Sequence, residues 1–166
     1  LFFTTAKYPS FFFYIPEIPQ EEELVFELED EKSGNILYEL TFNAPQKPGI
    51  IRINLPKDKP PLEANKEYRW RISVDSDNSD EENPEGLIKF EPPSQELIKE
   101  LQGKPPSERI ELYEQKEYWE DALRIVADLR RKNPEDELNK MEWQNLLATV
   151  NLEDNVVNAP LLPSPQ

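Results

Sequence analysis

The chain contains no cysteine and no histidine. Without thiols it can form no disulfide, no thiolate metal site and no cysteine nucleophile. Without imidazole it lacks the side chain that most often serves as general base near neutral pH and most often binds zinc. A Ser-His-Asp triad cannot be built. Four glycines in 166 residues are too few and too scattered for a phosphate-cradling loop. No apolar run reaches the length of a membrane span, and the most apolar stretch, Phe11 to Ile15, stops at Pro16. Basic residues are also in deficit, 19 against 34 acidic ones, for a net charge of −15. Residues 1–93 hold 19 acids and 10 bases (−9) and the rest 15 and 9 (−6), so the acidity is no tail. A field of that sign repels phosphate backbones and anionic lipid. Nucleic acid and membrane insertion are thus disfavoured, no cofactor or metal is expected, and the expected partner is a protein or a second copy. The chain begins at Leu1 rather than Met, which suggests a processed or trimmed terminus.

What is present is a change of hydrophobic period near Ser94. Before it, short segments alternate apolar and polar residues, as strands with one buried face do. These are Leu24, Phe26 and Leu28, then Ile36, Tyr38, Leu40 and Phe42, then Ile51, Ile53 and Leu55. Tyr68, Trp70, Ile72 and Val74 follow, then Ile88 and Phe90. Phe11 to Ile15 is apolar on both faces, which fits a strand covered on both sides or an edge strand beneath helices. Ser33, Gly34 and Asn35 mark a hairpin turn. After Pro92 and Pro93, apolar residues recur at helical spacing, and helices are predicted over 95–101, 107–114, 118–132 and 135–150. Ser94 can cap the first and Gly103 can end it. The 17 prolines fall mostly between elements, so the links are stiff. The expected class is α+β: an antiparallel β-sandwich over 1–93, a helical region packed on it over 94–152, and an extended proline-rich tail over 153–166.

Two local signatures sharpen this. In residues 61–70, PLEANKEYRW, Leu62 precedes Tyr68 by six positions, which resembles the corner of immunoglobulin and fibronectin type III sandwiches. There the Tyr hydroxyl bonds back to upstream backbone. Asn65 stands where that family usually has Gly and tolerates a left-handed turn. Trp70 is expected to point inward with Tyr68, as core rather than as a sugar or peptide site. Residues 111–134 resemble one tetratricopeptide repeat, with Tyr113 on the first helix, Tyr118 and Ala122 at the close crossing, and Pro134 ending the second. The Gly usual in its turn is replaced by Lys116 or Glu117. A single repeat cannot bury both faces. Its stripe of Trp119, Leu123, Val126 and Leu129 must therefore cover the sandwich, a partner, or the helix carrying Trp143, Leu146, Leu147 and Val150.

Candidate chemistry is sparse. Asp75, Asp77 and Ser79 are spaced like the start of a calcium loop, but the sixth position is Asp80 rather than Gly and the twelfth is Gly86 rather than Glu. A solvated loop is the expectation. Carboxylate pairs for glycoside hydrolysis could be drawn from many acids, yet nothing selects one. Arg124, Arg130, Arg131 and Lys132 read as charges complementing a helix dipole. Leu1, Phe2 and Phe3 at one end, and Leu161 and Leu162 at the other, are apolar outside any periodic element. They are candidates for partner contact, or for docking on the chain's own sheet edge or helices.

Residues 8–16 (YPSFFFYIP), 48–56 (PGIIRINLP) and 61–70, then 108–113 (ERIELY) and 119–123 (WEDAL), form an ordered series. By it the chain resembles a mostly cyanobacterial family catalogued as domain of unknown function 928, over nearly its whole length. The resemblance implies an extracytoplasmic protein, made with a signal peptide, and carries no catalytic residues. The functional expectation is a non-catalytic protein-interaction module. The alternatives are a structural subunit of a cell-surface assembly and, behind it, a carboxylate-based enzyme acting on polysaccharide.

Overall fold

The computed structural model describes residues 1–18, 21–74, 83–149 and 154–166. Seven strands precede the helices: β1 (Phe2–Thr4), β2 (Ser10–Ile15), β3 (Glu23–Asp30), β4 (Ile36–Asn43), β5 (Gly49–Asn54), β6 (Glu67–Val74) and β7 (Glu85–Phe90). They form a five-stranded sheet in the order β1-β7-β6-β3-β4 and a two-stranded sheet of β2 and β5. Pairing is antiparallel except between β1 and β7, which run parallel. The expected all-antiparallel arrangement is corrected there. β1 is not a hairpin neighbour of β7, because five strands, β2 to β6, divided between the two sheets, separate them in the chain.

The alternation of β2 explains the layering. Phe11, Phe13 and Ile15 enter one core with Leu24, Phe26, Leu28, Ile51 and Ile53, between the two sheets. Phe12 and Tyr14, on the opposite face, join a second core with Ile50, Val126 and Trp143, between the small sheet and the helices. The Phe12 ring meets Trp143 edge-on at 5.7 Å. A strand buried on both sides needs apolar residues at consecutive positions, and each such side chain contributes about 1.5–3 kcal/mol. Ile36 departs from the pattern, being 54% exposed. The β3–β4 register shifts between Leu28 and Glu29, and Ile36 lies at the hairpin end of an edge strand.

The helices are α1 (Gln95–Leu101), α2 (Pro106–Gln115), α3 (Trp119–Lys132), α4 (Glu137–Thr149) and a single turn, α5 (Asp154–Val157). The Ser94 hydroxyl accepts the Leu97 N–H at 3.1 Å, and Gly103 stands at φ 69° beyond the end of α1. Glu117, at the turn between α2 and α3, adopts φ 63°. A non-glycine residue there carries steric cost. The tail differs from a wholly extended one, since it starts with α5, whose Val156 and Val157 pack into the second core. Beyond α5 it runs parallel to β5. The Ile50 N–H donates to the Pro160 carbonyl and the Leu162 N–H to the Ile50 carbonyl, both at 2.8 Å. The Gln166 amide then brackets Asn54, accepting its N–H and donating to its carbonyl, each at 2.7 Å.

Candidate functional site

A concavity of about 960 Å³ lies between the β3–β4 hairpin and the segment leading into β6, lined by Asp30, Glu31, Ile36, Pro61, Glu63 and Lys66 among others. The hairpin rim is fixed locally. Gly34, at φ 71°, lets its N–H reach the Asp30 carbonyl at 2.8 Å, and Asp30 Oδ1 accepts from the Lys32 and Ser33 N–H groups. The Ser33 bond is the main reason the Asp30 carboxyl is held below its ordinary range, with Lys66 adding to it. Glu31 is lowered by Arg69, which donates to both its oxygens at 2.7 and 2.6 Å. Arg69 also reaches Glu85, so its guanidinium is held charged. Lys66 pairs with Glu63 at 2.9 Å, and its ammonium is stabilised chiefly by that contact. Asp30 and Glu31 are thus tied and ionised, whereas a general acid requires a carboxyl that stays protonated near its working pH.

The opposite case occurs where α3 meets β1. Asp121, 2% exposed, accepts the Thr5 N–H at 3.1 Å and the Thr5 hydroxyl at 3.0 Å, with Arg124 at 3.7 Å. Burial raises its pKa against the pull of Thr5 and Arg124. Glu120 beside it is pushed up to about 8 by burial and then by Asp121. The residue as a whole is half-buried, and its Oε2 is sealed from water without a hydrogen-bond partner. Tyr118 donates to Glu91 at 3.0 Å and is pushed up to about 12, mainly by burial. The Glu91 N–H in turn binds the Thr4 carbonyl at 2.9 Å. This carboxyl cluster joins three elements, and the large cleft does not reach it. Its residues went unselected in the sequence because adjacent acids in a first helical turn also suit the helix dipole.

The corner is present as a bond. Tyr68, 1% exposed, accepts the Glu63 N–H on its hydroxyl at 2.9 Å, Leu62 is buried and Asn65 takes φ 63°. Trp70 is half-buried against the Phe13 ring at 5.1 Å and lies over Gly86, where a Cβ would fall 2.5 Å from the indole. On the helices, Tyr113 and Ala122 are buried, Trp119 packs at the margin of the second core, and Pro134 is exposed just after α3. Tyr113 meets Tyr118 edge-on at 6.5 Å. Of the end residues, Leu1 and Phe2 are 56% and 42% exposed, and Phe3 is half-buried in β1. Leu161 and Leu162 are half-buried against the second and first cores respectively. The structure seats this tail on the chain's own β5. Arg124 binds Asp121 rather than serving the helix end, and Arg131 donates to the Leu162 carbonyl at 3.1 Å. The acidic 75–82 segment, with its calcium-like spacing, and Val150 lie outside the described residues. Among the described residues no three His, Cys, Asp or Glu side chains group to hold a metal ion, and no helix is long and apolar enough to cross a membrane.

Mixed β-sheets of seven strands followed by helices, with perturbed carboxyls spent at the joint between them, define an α+β protein whose polar chemistry lies largely at contacts between its own elements. The chain belongs to the Domain of Unknown Function (DUF928) family, whose profile matches residues 1–161. A search of curated proteins returned no match.

Proposed function

We propose that this protein is a non-catalytic interaction module working outside the cytoplasm, with its contact surface on α4. In this reading the two packed sheets with the Leu62–Tyr68 corner form an immunoglobulin-like sandwich. The α2–α3 hairpin is a tetratricopeptide-like pair, and α4 is the helix against which a further helix would stack. The observation that carries it is the exposure of Leu138 (74%) and Met141 (54%), one turn apart, on a helix whose Trp143, Leu146 and Leu147 are buried. Repeat-like helices bury such a face against a neighbour, so the partner would present an apolar helix. The extracytoplasmic location rests on the family resemblance. The ionised carboxylates of the large cleft favour binding over acid catalysis. Covalent crosslinking in the native envelope fraction tests the reading. The double variant Leu138→Glu with Met141→Glu should lose its crosslinked partner at an unchanged melting temperature, and retention of that partner overturns the assignment.

A second reading, a subunit of a surface assembly, is favoured by β1. Among the described residues no strand pairs with its outer edge, and Leu1 and Phe2 stand exposed there. Edge strands accept strands from neighbours. Here Phe2→Glu should lower the mass in solution while the Leu138 and Met141 variant leaves it unchanged.

A further inference from the structure

The edges of the sheets are unequally protected. The tail covers β5, and β1 offers only three residues. β4 is the outermost strand at the other end of the five-stranded sheet, eight residues long and free of proline and lysine. Proline, lysine, a bulge or a covering segment are the usual means of blunting such an edge. The register shift against β3 falls at the hairpin end, beyond the Leu28–Tyr38 pair, so residues 39–43 run without a bulge. The Ala44 N–H donates to the Glu22 carbonyl at 2.8 Å. Bonded pairs recur at every second residue of an antiparallel ladder. Tyr38, Leu40 and Phe42 therefore bond to β3, and the N–H and carbonyl groups of Glu39, Thr41 and Asn43 point outward. Among the described residues none of those groups has a partner, and all three residues are exposed.

The two faces of this edge define what fits it. On the inner face Leu40 is half-buried beside Tyr38 and Phe42 at the margin of the first core, and a strand laid along β4 would extend that core with apolar side chains. Ile36, 54% exposed at the hairpin end, offers further apolar surface. On the outer face Glu39 stands opposite Glu27. They form a non-hydrogen-bonded pair, the closer kind, with Cα atoms about 4.5 Å apart, and like charges so placed oppose each other. Neither enters an ion pair among the described residues. Arg71 on β6 is in register with Glu27 but binds Glu85 at 3.2 Å. A cation arriving beside Glu39 would relieve this repulsion. A second copy, itself at −15, would add to it.

We propose that residues 39–43 of β4 accept an amphipathic strand from a basic partner protein. Its backbone pairs with Glu39, Thr41 and Asn43, its cationic side chains lie beside Glu39, and its apolar ones lie beside Leu40. Backbone bonds supply the affinity and alternating side chains the specificity, as when a peptide extends a sheet. This edge is separate from α4 and lies at the opposite end of the sheet from β1.

The test is titration of the full chain with a fluorescent octapeptide alternating Lys and Val, read by anisotropy at constant ionic strength. It should bind saturably, and the matching Glu–Val peptide should not. Peptides N-methylated at every Lys or at every Val keep charge and apolarity, but each loses the donors of one edge. At least one of the two should bind at least about tenfold more weakly, or about 1.4 kcal/mol. Thr41→Pro, tolerated where a strand N–H faces solvent, should cost as much at an unchanged circular dichroism spectrum. Glu39→Gln should weaken binding about threefold, as expected of an exposed charge pair. Unchanged affinity in Thr41→Pro overturns the proposal, as do equal binding of the Glu–Val peptide, full binding of both methylated forms, or no saturable binding at all. A parent dimer that Thr41→Pro dissociates assigns the edge to a second copy and overturns it too. If Thr41→Pro fails to fold, the methylated peptides decide alone.

Discussion

Two side chains show how single atoms set local stability here. The Tyr68 hydroxyl holds the Glu63 N–H in a buried corner. Tyr68→Phe keeps the ring and strands that N–H, so it should cost about 1–3 kcal/mol. Urea midpoints that coincide for variant and parent would remove the corner from the account. Glu120 works through protonation. Its folded pKa of about 8 lies above the ordinary glutamate value of 4.5, so the folded state holds more protons than the unfolded one between those values. Stability from this group therefore falls as pH rises from about 4.5 to about 8. Glu120→Gln removes that slope. Its stability should match the parent near pH 4.5 and exceed it above pH 8 by at least about 1.4 kcal/mol, the worth of one pKa unit. Parallel curves for the two proteins from pH 4.5 to 9 would show that Glu120 is ordinary. Asp121, raised in the same direction, steepens the slope that remains.

Among the elements, the tail works as a strand. Its backbone bonds to Ile50, the Ser164 hydroxyl donates to the Arg52 carbonyl at 3.0 Å, and Gln166 reaches the Tyr38 hydroxyl on the other sheet at 3.0 Å. Gly49 leaves room for it, since a Cβ there would lie 2.5 Å from Leu162. Deleting residues 160–166 uncovers Ile50 and unpairs the β5 edge, so it should lower the melting temperature of the chain without altering its mass in solution. A shortened chain of unchanged stability but changed mass would return the tail to the role of partner contact. The periodic elements were legible in the sequence. The helix predicted over 95–101 has the bounds of α1, and the others differ by at most two residues at their described ends. β1 and the tail strand were not legible, because three residues or a proline-broken run carry no period. Their placement comes from pairing with β7 and β5, which only the fold brings near. Ile36 failed for a related reason: alternation fixes which face a residue is on, but not whether the opposing layer extends that far.

At the scale of the whole molecule, the small sheet is the element that both halves share. The five-stranded sheet uses one of its faces and the helices the other, and the Thr5–Asp121 and Tyr118–Glu91 bonds join the halves again at the rim. Of the candidate sites, the corner was readable from a fixed spacing. The Arg130–Trp143 contact was not, because guanidinium and indole meet there across α3 and α4, and their sequence positions suit a helix end and a core equally well. The shared sheet also decides how the helices behave alone. In a fragment starting at Ser94, Trp143 loses Phe12, and the second core loses Tyr14 and Ile50. Isolated helices of 7 to 14 residues fall within or below the roughly 12–15 residues at which helicity in water is marginal. The fragment should therefore be weakly helical or aggregate, while the full chain should unfold in one transition by both far-ultraviolet circular dichroism and Trp emission. A monomeric fragment with its own cooperative melt would make the helical region an independent unit, and the small sheet would then be a docking surface rather than half of a common core.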